Sequence, residues 1–555
     1  MKIGRTLWNR RIRLRDGVEL AADVLLPMGA GPFPAVVLRT PYLRGRHLNN
    51  SNSWPRLVDY GYALVTVDMR GRNDSDGTWL PRVKDPEDGY DVVEWVAAQP
   101  WCTGRIGMVG GSYEGLTQWW TALHRPPHLA CIAPLAIGHT SQQRSNFGTG
   151  IPSQYRMWWL SLVNGRTLQY SGAPSWEAHV MHTPLKTLDE QYGLSRSAWR
   201  KYVAGEIDFP GKAGSLSEED YAAIDIPVLI GVGWWDDQDA MLTWQALQRA
   251  RSARNCRLLI GAWDHLGNIG PRPILGGIDV SASVMDTIGY VEQFLAVHLK
   301  GDRGQAEKQP RCRVFLTGED RWELLDDWPH PQATVTPLYL TSGGDARSLK
   351  GNGRLVSRAC MGNGSDTYVF DPNDPARDMS NLALFAWADP PLDCRYMQRR
   401  KDALVYTSDP LAEPLKVSGR YHLRIFVSSD RPDTDVFVNL SDVHPDGRAI
   451  SLVATNMLIG ALRLRYRNGC REELLTPGEI YEVTVTGSWL HHVFRAGHRL
   501  RITINSSGFP LAVRNAGAGG HWAEDRVLYP QTNTIHHGSR YPSRVLLPVV
   551  PRELC

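Results

Sequence analysis

RIGMVGGSYEGLTQWW, Arg105 to Trp120, decides how the chain is read. A β-branched apolar run meets two glycines and a serine, and helical spacing follows. That order predicts a buried strand, a sharp turn and a helix, with Ser112 on the turn. Gly110 and Gly111 before the serine and Gly115 after it remove side chains where so tight a turn would clash. A serine held there lifts its hydroxyl above the end of the strand. The backbone N–H groups at the helix start face the same space, that of Tyr113 first. The alternative is an ordinary Gly-Ser-Gly loop without chemistry. One departure stands out: the common nucleophile elbow has glycine two residues after serine, whereas here Glu114 takes that place and glycine comes one residue later.

Outward from this turn the chain alternates strands and helices. RRIRLRDGVELAADVLLP reads as a hairpin closed by Asp-Gly, and FPAVVLRTPY and YALVTVDMRG as buried strands. PEDGYDVVEWVAAQ reads as an amphipathic helix entered through proline and an acidic first turn. The pattern predicts an α/β fold with a parallel sheet covered on both faces. Over residues 141–220, Trp, Tyr, Gln and Arg dominate at helical spacing, which predicts an inserted helical cap. The strand pattern resumes with IPVLIGVGWW and CRLLIGAWDH, so the insert is placed as a lid over the carboxyl ends of the strands. Beyond residue 306, segments such as RCRVFLTG, GRYHLRIFVSS and TDVFVNLSDV alternate apolar and polar residues between turn clusters. They predict a C-terminal β-sandwich of jelly-roll type. The expected domains are a catalytic α/β unit over 1–140 and 221–305, the cap over 141–220 and the jelly roll over 306–555.

Composition narrows the function. At 555 residues the chain is too long for one core, and 42% hydrophobic with 21% charged residues is a globular composition. A net charge of +3 with scattered arginines argues against nucleic-acid and membrane-surface partners and for a small molecule. Arginines interrupt the apolar runs of the N-terminus, so no secretory leader is expected. No window approaches the ~20 apolar residues of a membrane helix. Eight singly spaced cysteines read as reduced, buried thiols of a cytoplasmic protein. No HExxH, CxxC or P-loop pattern occurs, so neither metal nor nucleotide cofactor is expected. The pairs His491-His492 and His536-His537 fall in strand-like runs, where adjacent side chains face opposite ways.

In open α/β sheets, ligands bind beyond the carboxyl ends of the strands. Tyr42, Ser112, Asp236 and His265 each follow such an end. A hydroxyl, a carboxylate and an imidazole then converge in the chain order Ser, Asp, His of α/β hydrolases. Serine is a weak nucleophile at neutral pH, so an imidazole must take its proton as it attacks a carbonyl. A carboxylate on the far side fixes the ring's tautomer. By position alone Asp236 and Asp237 are equal candidates for that carboxylate.

DPEDGYDVVEWVAAQPWCTGRIGMVGGSYEG, GWWD, GAWDH, RVFLTGEDRWELLDDWPHP and HRLRITINSSGFP together resemble the serine hydrolases grouped around cocaine esterase, X-prolyl dipeptidyl peptidase and the α-amino acid ester hydrolases. The resemblance runs through nearly the whole chain. It implies Ser112 as nucleophile, His265 as base and then acid, and Asp236 rather than Asp237 as the orienting carboxylate. It also implies the Tyr42 hydroxyl as an oxyanion donor beside the Tyr113 N–H, and it accounts for the displaced glycine after Glu114. VDMRGRNDSDG resembles a further family segment with Asn73 in place of a glycine; asparagine tolerates the left-handed conformation that position demands. Asp68, Arg70 and Ser75 in that segment read as structural.

Most of the twenty tryptophans should pack in cores. Trp158 and Trp159 in the insert, with Trp235 and Trp263 beside the triad, are the candidates for an acyl pocket that favours bulky apolar or aromatic groups. Family members that accept α-amino acyl groups hold the ammonium with acidic residues just past the triad aspartate, and Asp239 is the residue here in that position. The competing reading is that Asp237 and Asp239 cap the next helix. The expected function is hydrolysis of an ester or amide through an acyl-enzyme, with a simple esterase favoured over an aminopeptidase or an α-amino acid ester hydrolase or acyltransferase. A non-catalytic carbohydrate- or peptide-binding jelly roll is the reading from another class, and the presence of all four chemical groups counts against it. Exposed edges of an all-β tail would support a homodimer.

Overall fold

The apolar runs of the first part of the chain assemble into one ten-stranded sheet. β1 (Ile3–Arg13) and β2 (Glu19–Pro27) form the antiparallel hairpin, with Gly17 of its Asp-Gly turn at φ +85°. There follow β3 (Phe33–Thr40), β4 (Ala63–Asp68), β5 (Cys102–Gly111), β6 (Leu129–Leu135), β7 (Leu229–Trp235) and β8 (Arg257–Asp264). The strand order β1-β2-β4-β3-β5-β6-β7-β8 is parallel from β4 onward. Every residue of β4 and β7 is buried, as continuous apolar strands covered on both faces must be. The order reverses between β3 and β5, so the crevice above their carboxyl ends is the topological switch point.

Helix α1 (Asp85–Ala97) packs on α2 (Tyr113–Leu123), and Val92, Val93 and Val96 join Ile106, Met108 and Leu116 in one core. On the opposite face Ile288, Val291 and Phe294 of a later helix, Thr287–Leu295, pack with Val36, Leu38 and Val109. The loop after β4 is held by hydrogen bonds, as read: Ser75 Oγ donates to the Asp68 carbonyl at 2.6 Å and accepts from Ala21 N at 2.8 Å. Arg70 grips Asp88 at 2.6 and 2.9 Å, and Asn73 sits at φ +45°.

The structure, a computed structural model, describes all residues except 1–2, 50–52, 138–149, 164, 170–180, 193–195, 207–215, 237, 269, 303, 305–308, 378–391, 454–459, 470 and 552–555. Between β6 and β7 the described elements are helical: α3 (Tyr155–Leu162), then Leu188–Tyr192, Arg196–Val203 and Glu218–Ala222. No described helix is long and apolar enough to cross a membrane.

Two expectations change. RCRVFLTG, assigned from sequence to the C-terminal β domain, contributes β9 (Cys312–Leu316), which pairs parallel with β8; β10 (Arg321–Leu325) closes that edge as a hairpin. An edge hairpin alternates apolar and polar residues just as a sandwich strand does, so sheet membership past residue 306 was not visible in the pattern. The remaining strands, Thr334 to Val549, form a separate twelve-stranded sheet, antiparallel but for one short pairing. The thiols also differ from expectation: Cys131, Cys256, Cys312 and Cys394 are buried and free, but Cys360 is exposed and Cys102 half-buried. Cys470 and Cys555 lie outside the described residues.

Candidate active site

β5 ends at Gly111 and α2 begins at Tyr113, and Ser112 between them adopts φ +58°, ψ −126°. For a residue with a Cβ this conformation costs ~1–3 kcal/mol, which the surrounding structure must impose. Two hydrogen bonds impose it: Ser112 N donates to Leu135 O, and Leu116 N donates to Ser112 O, both at 2.9 Å. Serine at a helix N-cap usually accepts from the first-turn amides, yet the Ser112 side chain makes no such bond. Its hydroxyl is therefore not spent on capping the helix.

The displaced glycine has a steric cause. Gly110, at φ +141°, leaves no room for a side chain, since a Cβ there would stand 2.6 Å from the Glu114 Cβ; one on Gly115 would run into Ile137 and approach Leu135 O to 3.0 Å. Glu114, the departure in the motif, is buried and accepts from Thr40 Oγ1 at 2.7 Å, while Thr40 Oγ1 accepts from Tyr42 N at 3.0 Å. The nucleophile helix is thereby tied to the turn that carries Tyr42.

Asp236 follows β7 and His265 follows β8, and His265 Nδ1 lies 2.7 Å from Asp236 Oδ1. Asp237 is outside the described residues. A carboxylate only accepts, so this bond puts the ring proton on Nδ1 and makes Nε2 the basic nitrogen. The other oxygen of Asp236 accepts from Asn268 Nδ2 at 2.6 Å, and Asn268 Nδ2 also reaches Asp264 O at 2.8 Å. Asp264 fixes the same turn by accepting from Gly267 N at 2.8 Å and pairing with Arg272, and burial raises its carboxyl above the ordinary range. Sequence reasoning missed Asn268, because an asparagine in a turn carries no distinguishing signal. Asn268→Ala should lower kcat for an activated ester ~10–100-fold with little change in KM, the worth of one hydrogen bond to a charged group. Steady-state kinetics on the purified variant would measure it.

Tyr42 is half-buried beside the switch point, and its hydroxyl accepts from Trp159 Nε1 at 3.0 Å. Tyr113 points its phenol the other way: it donates to Asp85 Oδ2 at 2.5 Å and accepts from Arg82 N at 2.9 Å. Only its backbone N–H is on offer at the elbow. Burial pushes the Asp85 carboxyl up to about 6 from its ordinary 3.8, against the opposing pull of the Arg39 guanidinium. A carboxyl raised on folding contributes stability that is complete below about 4 and is lost as pH rises through about 6. Asp85→Asn removes that titration. Relative to wild type, the variant should therefore gain stability between pH 4 and pH 7, read from urea unfolding at the two pH values.

The remaining candidates separate. Trp159 contacts Tyr42 and stacks on the Tyr113 ring, with centroids 5.2 Å apart and planes at 17°. Trp158, its neighbour on α3, is buried in the core. Trp263 is not a pocket wall: its Nε1 donates to Ser283 O at 3.1 Å and its ring packs with Ile288 and Phe294 in the core on one face of the sheet. Trp235 Nε1 donates to Ser451 O at 3.0 Å, so its indole nitrogen is engaged with the C-terminal domain. Asp239 makes no side-chain cap; it is buried with Oδ1 3.9 Å from Arg420 Nη2.

Among the described residues, Asp442, His444 and His498 bring potential metal-ligand atoms within 4.8 Å of one another in the C-terminal domain. His498 Nδ1 lies 2.9 and 3.0 Å from the two Asp442 oxygens, a hydrogen-bonded pair closer than the ~3.4 Å that separates ligands around a tetrahedral ion with ~2.1 Å bonds. His491 bonds Ser418 and Glu323, whereas His492 bonds Thr317 and lies 3.3 Å from Asp442, so the two rings have separate partners.

Residues 16–267 match the family model of the X-Pro dipeptidyl-peptidase (S15 family), and residues 304–546 match the X-Pro dipeptidyl-peptidase C-terminal non-catalytic domain. The chain is 32% identical to a cocaine esterase of Rhodococcus sp. (strain MB1 Bresler) over 98% of both chains. Its fold is shared with an aminopeptidase from a marine sediment Thaumarchaeota archaeon (TM-score 0.83, 24% identity, 98% of this chain and 96% of that one). It is likewise shared with an α-amino acid ester hydrolase (TM-score 0.84, 22% identity, the same coverage).

Proposed function

Because the chain belongs to the X-Pro dipeptidyl-peptidase (S15) family and is a serine hydrolase, we propose that Ser112, His265 and Asp236 form a triad that cleaves an ester through an acyl-enzyme. The observation that carries this reading is the strained Ser112 on its elbow, on a sheet whose β8 end bears an imidazole already held by a buried carboxylate. Ser112 Oγ attacks the carbonyl carbon as His265 Nε2 takes its proton. Asp236 stabilises the imidazolium that forms. The oxyanion is received by the Tyr113 N–H and the Tyr42 O–H, and one such donor is worth ~2.7–4 kcal/mol of barrier. Collapse of this intermediate expels the leaving group, which takes its proton from His265. Water, deprotonated by the same nitrogen, then attacks the acyl-enzyme, and its collapse releases the acid and returns the proton to Ser112.

We read the helical insert as the cap and the C-terminal sheet as the jelly roll of this architecture. Two features favour an ester over a free-amine substrate. Asp239, the carboxylate past the triad aspartate, is buried toward Arg420, and Trp159 of the insert places an aromatic plane beside Tyr42, suited to a bulky apolar or aromatic acyl group. Rates on p-nitrophenyl esters of aliphatic and aromatic acids, set against aminoacyl p-nitroanilides, test the assignment. Ester turnover that exceeds anilide turnover is expected. Activity confined to free-amine substrates would overturn the ester preference, and none on either series would overturn the class.

A further inference from the structure

We propose that Trp159, carried by the helical insert, is a positioning residue that orients and polarises the Tyr42 phenol as oxyanion donor. The inference rests on the reading of Tyr42 given above and extends it to a residue outside the α/β unit.

The indole N–H can only donate, so in the 3.0 Å contact the Tyr42 oxygen is the acceptor and the phenol's own proton takes no part in it. A donor that bonds to a hydroxyl oxygen draws electron density from it and strengthens the bond that hydroxyl makes in turn. The chain N–H···O–H···O⁻ is strongest when full negative charge develops on the substrate oxygen. The contribution therefore falls on the transition state more than on substrate binding.

The same indole is fixed by a second contact to the elbow. Its ring stacks on that of Tyr113, whose backbone N–H is the other proposed donor, and Trp79 meets both rings edge-on at 5.8 and 5.7 Å. One rigid side chain thus touches both residues that would define the oxyanion site.

Arg72 braces this arrangement from behind. Its buried guanidinium donates to Pro41 O at 2.9 Å, next to Tyr42, and to Val163 O at 2.7 Å, at the end of α3, and lies over the Trp79 ring. The backbone beside Tyr42 and the helix that carries Trp159 are thereby held to one guanidinium. On this geometry the insert is part of the oxyanion site and not only its cover.

The test is a double-mutant cycle on Ser112 acylation by an activated ester. Trp159→Phe keeps an aromatic ring and removes the N–H; it should lower the acylation rate ~3–10-fold, the range for one neutral hydrogen bond, with KM changed less than ~2-fold. In a Tyr42→Phe background, itself slowed ~100-fold or more, the same change should have less than ~2-fold effect. Replacing Trp159 with β-(3-benzothienyl)alanine, isosteric with tryptophan but without the N–H, repeats the measurement with the packing intact and should give the same loss. Wild-type acylation rates in both Trp159 variants, or equal losses with and without Tyr42, would overturn the inference while leaving the esterase reading in place. Absence of Ser112 acylation in the wild type would instead remove that reading itself.

Discussion

Ser112→Ala should lower kcat on an activated ester by ~10⁴–10⁶-fold, with KM and thermal stability near those of wild type. Removing the hydroxyl deletes the atom that forms the covalent bond. The donors that would receive the oxyanion and the His265–Asp236 pair stay in place. What rate survives would then come from water attacking a polarised carbonyl. The backbone gives an independent sign. Ser112 is held at φ +58° with a side chain that caps nothing, and alanine at the same conformation loses no hydrogen bond of the helix. Relief of strain elsewhere would leave activity intact, so the stability and rate readouts together separate a catalytic role from a structural one.

Asp236→Asn should be nearly as severe, ~10⁴-fold in kcat, although the two side chains have the same shape. The reason lies in Asn268. Its Nδ2 donates to Asp236 Oδ2 at 2.6 Å, so the new amide turns its oxygen toward Asn268 and its NH₂ toward His265 Nδ1. The ring must then accept at Nδ1 and carry its proton on Nε2. A protonated Nε2 cannot take the proton of Ser112. Steady-state kinetics would show the loss in kcat, and a crystal structure of the variant would show an unmoved ring.

The elbow was legible because a turn this tight leaves a mark in composition: glycines at fixed offsets round a serine between a strand and a helix. Tyr42, Asp236 and His265 were legible as strand-end positions, although the choice of Asp236 over Asp237 came from resemblance. Asn268 and Glu114 were not legible as partners. Their roles come from hydrogen bonds between segments 32 and 74 residues apart in sequence, which no local pattern records. Trp263 was misplaced because adjacency to His265 does not tell which face of β8 a residue occupies; β8 ends at Asp264, and His265 belongs to the turn. Asp239 stands at the cap position of helix Ala240–Leu247, as position in sequence suggested, but its side chain is turned toward Arg420, a partner 181 residues away that no local pattern records.

Peptide mapping after a rapid acid quench with an activated ester identifies the side chain that carries the acyl group. A single acyl group is expected on the peptide that contains Ser112, formed in a burst and absent from Ser112→Ala. An acyl group on any other side chain, or a burst of the same size from Ser112→Ala, would contradict it.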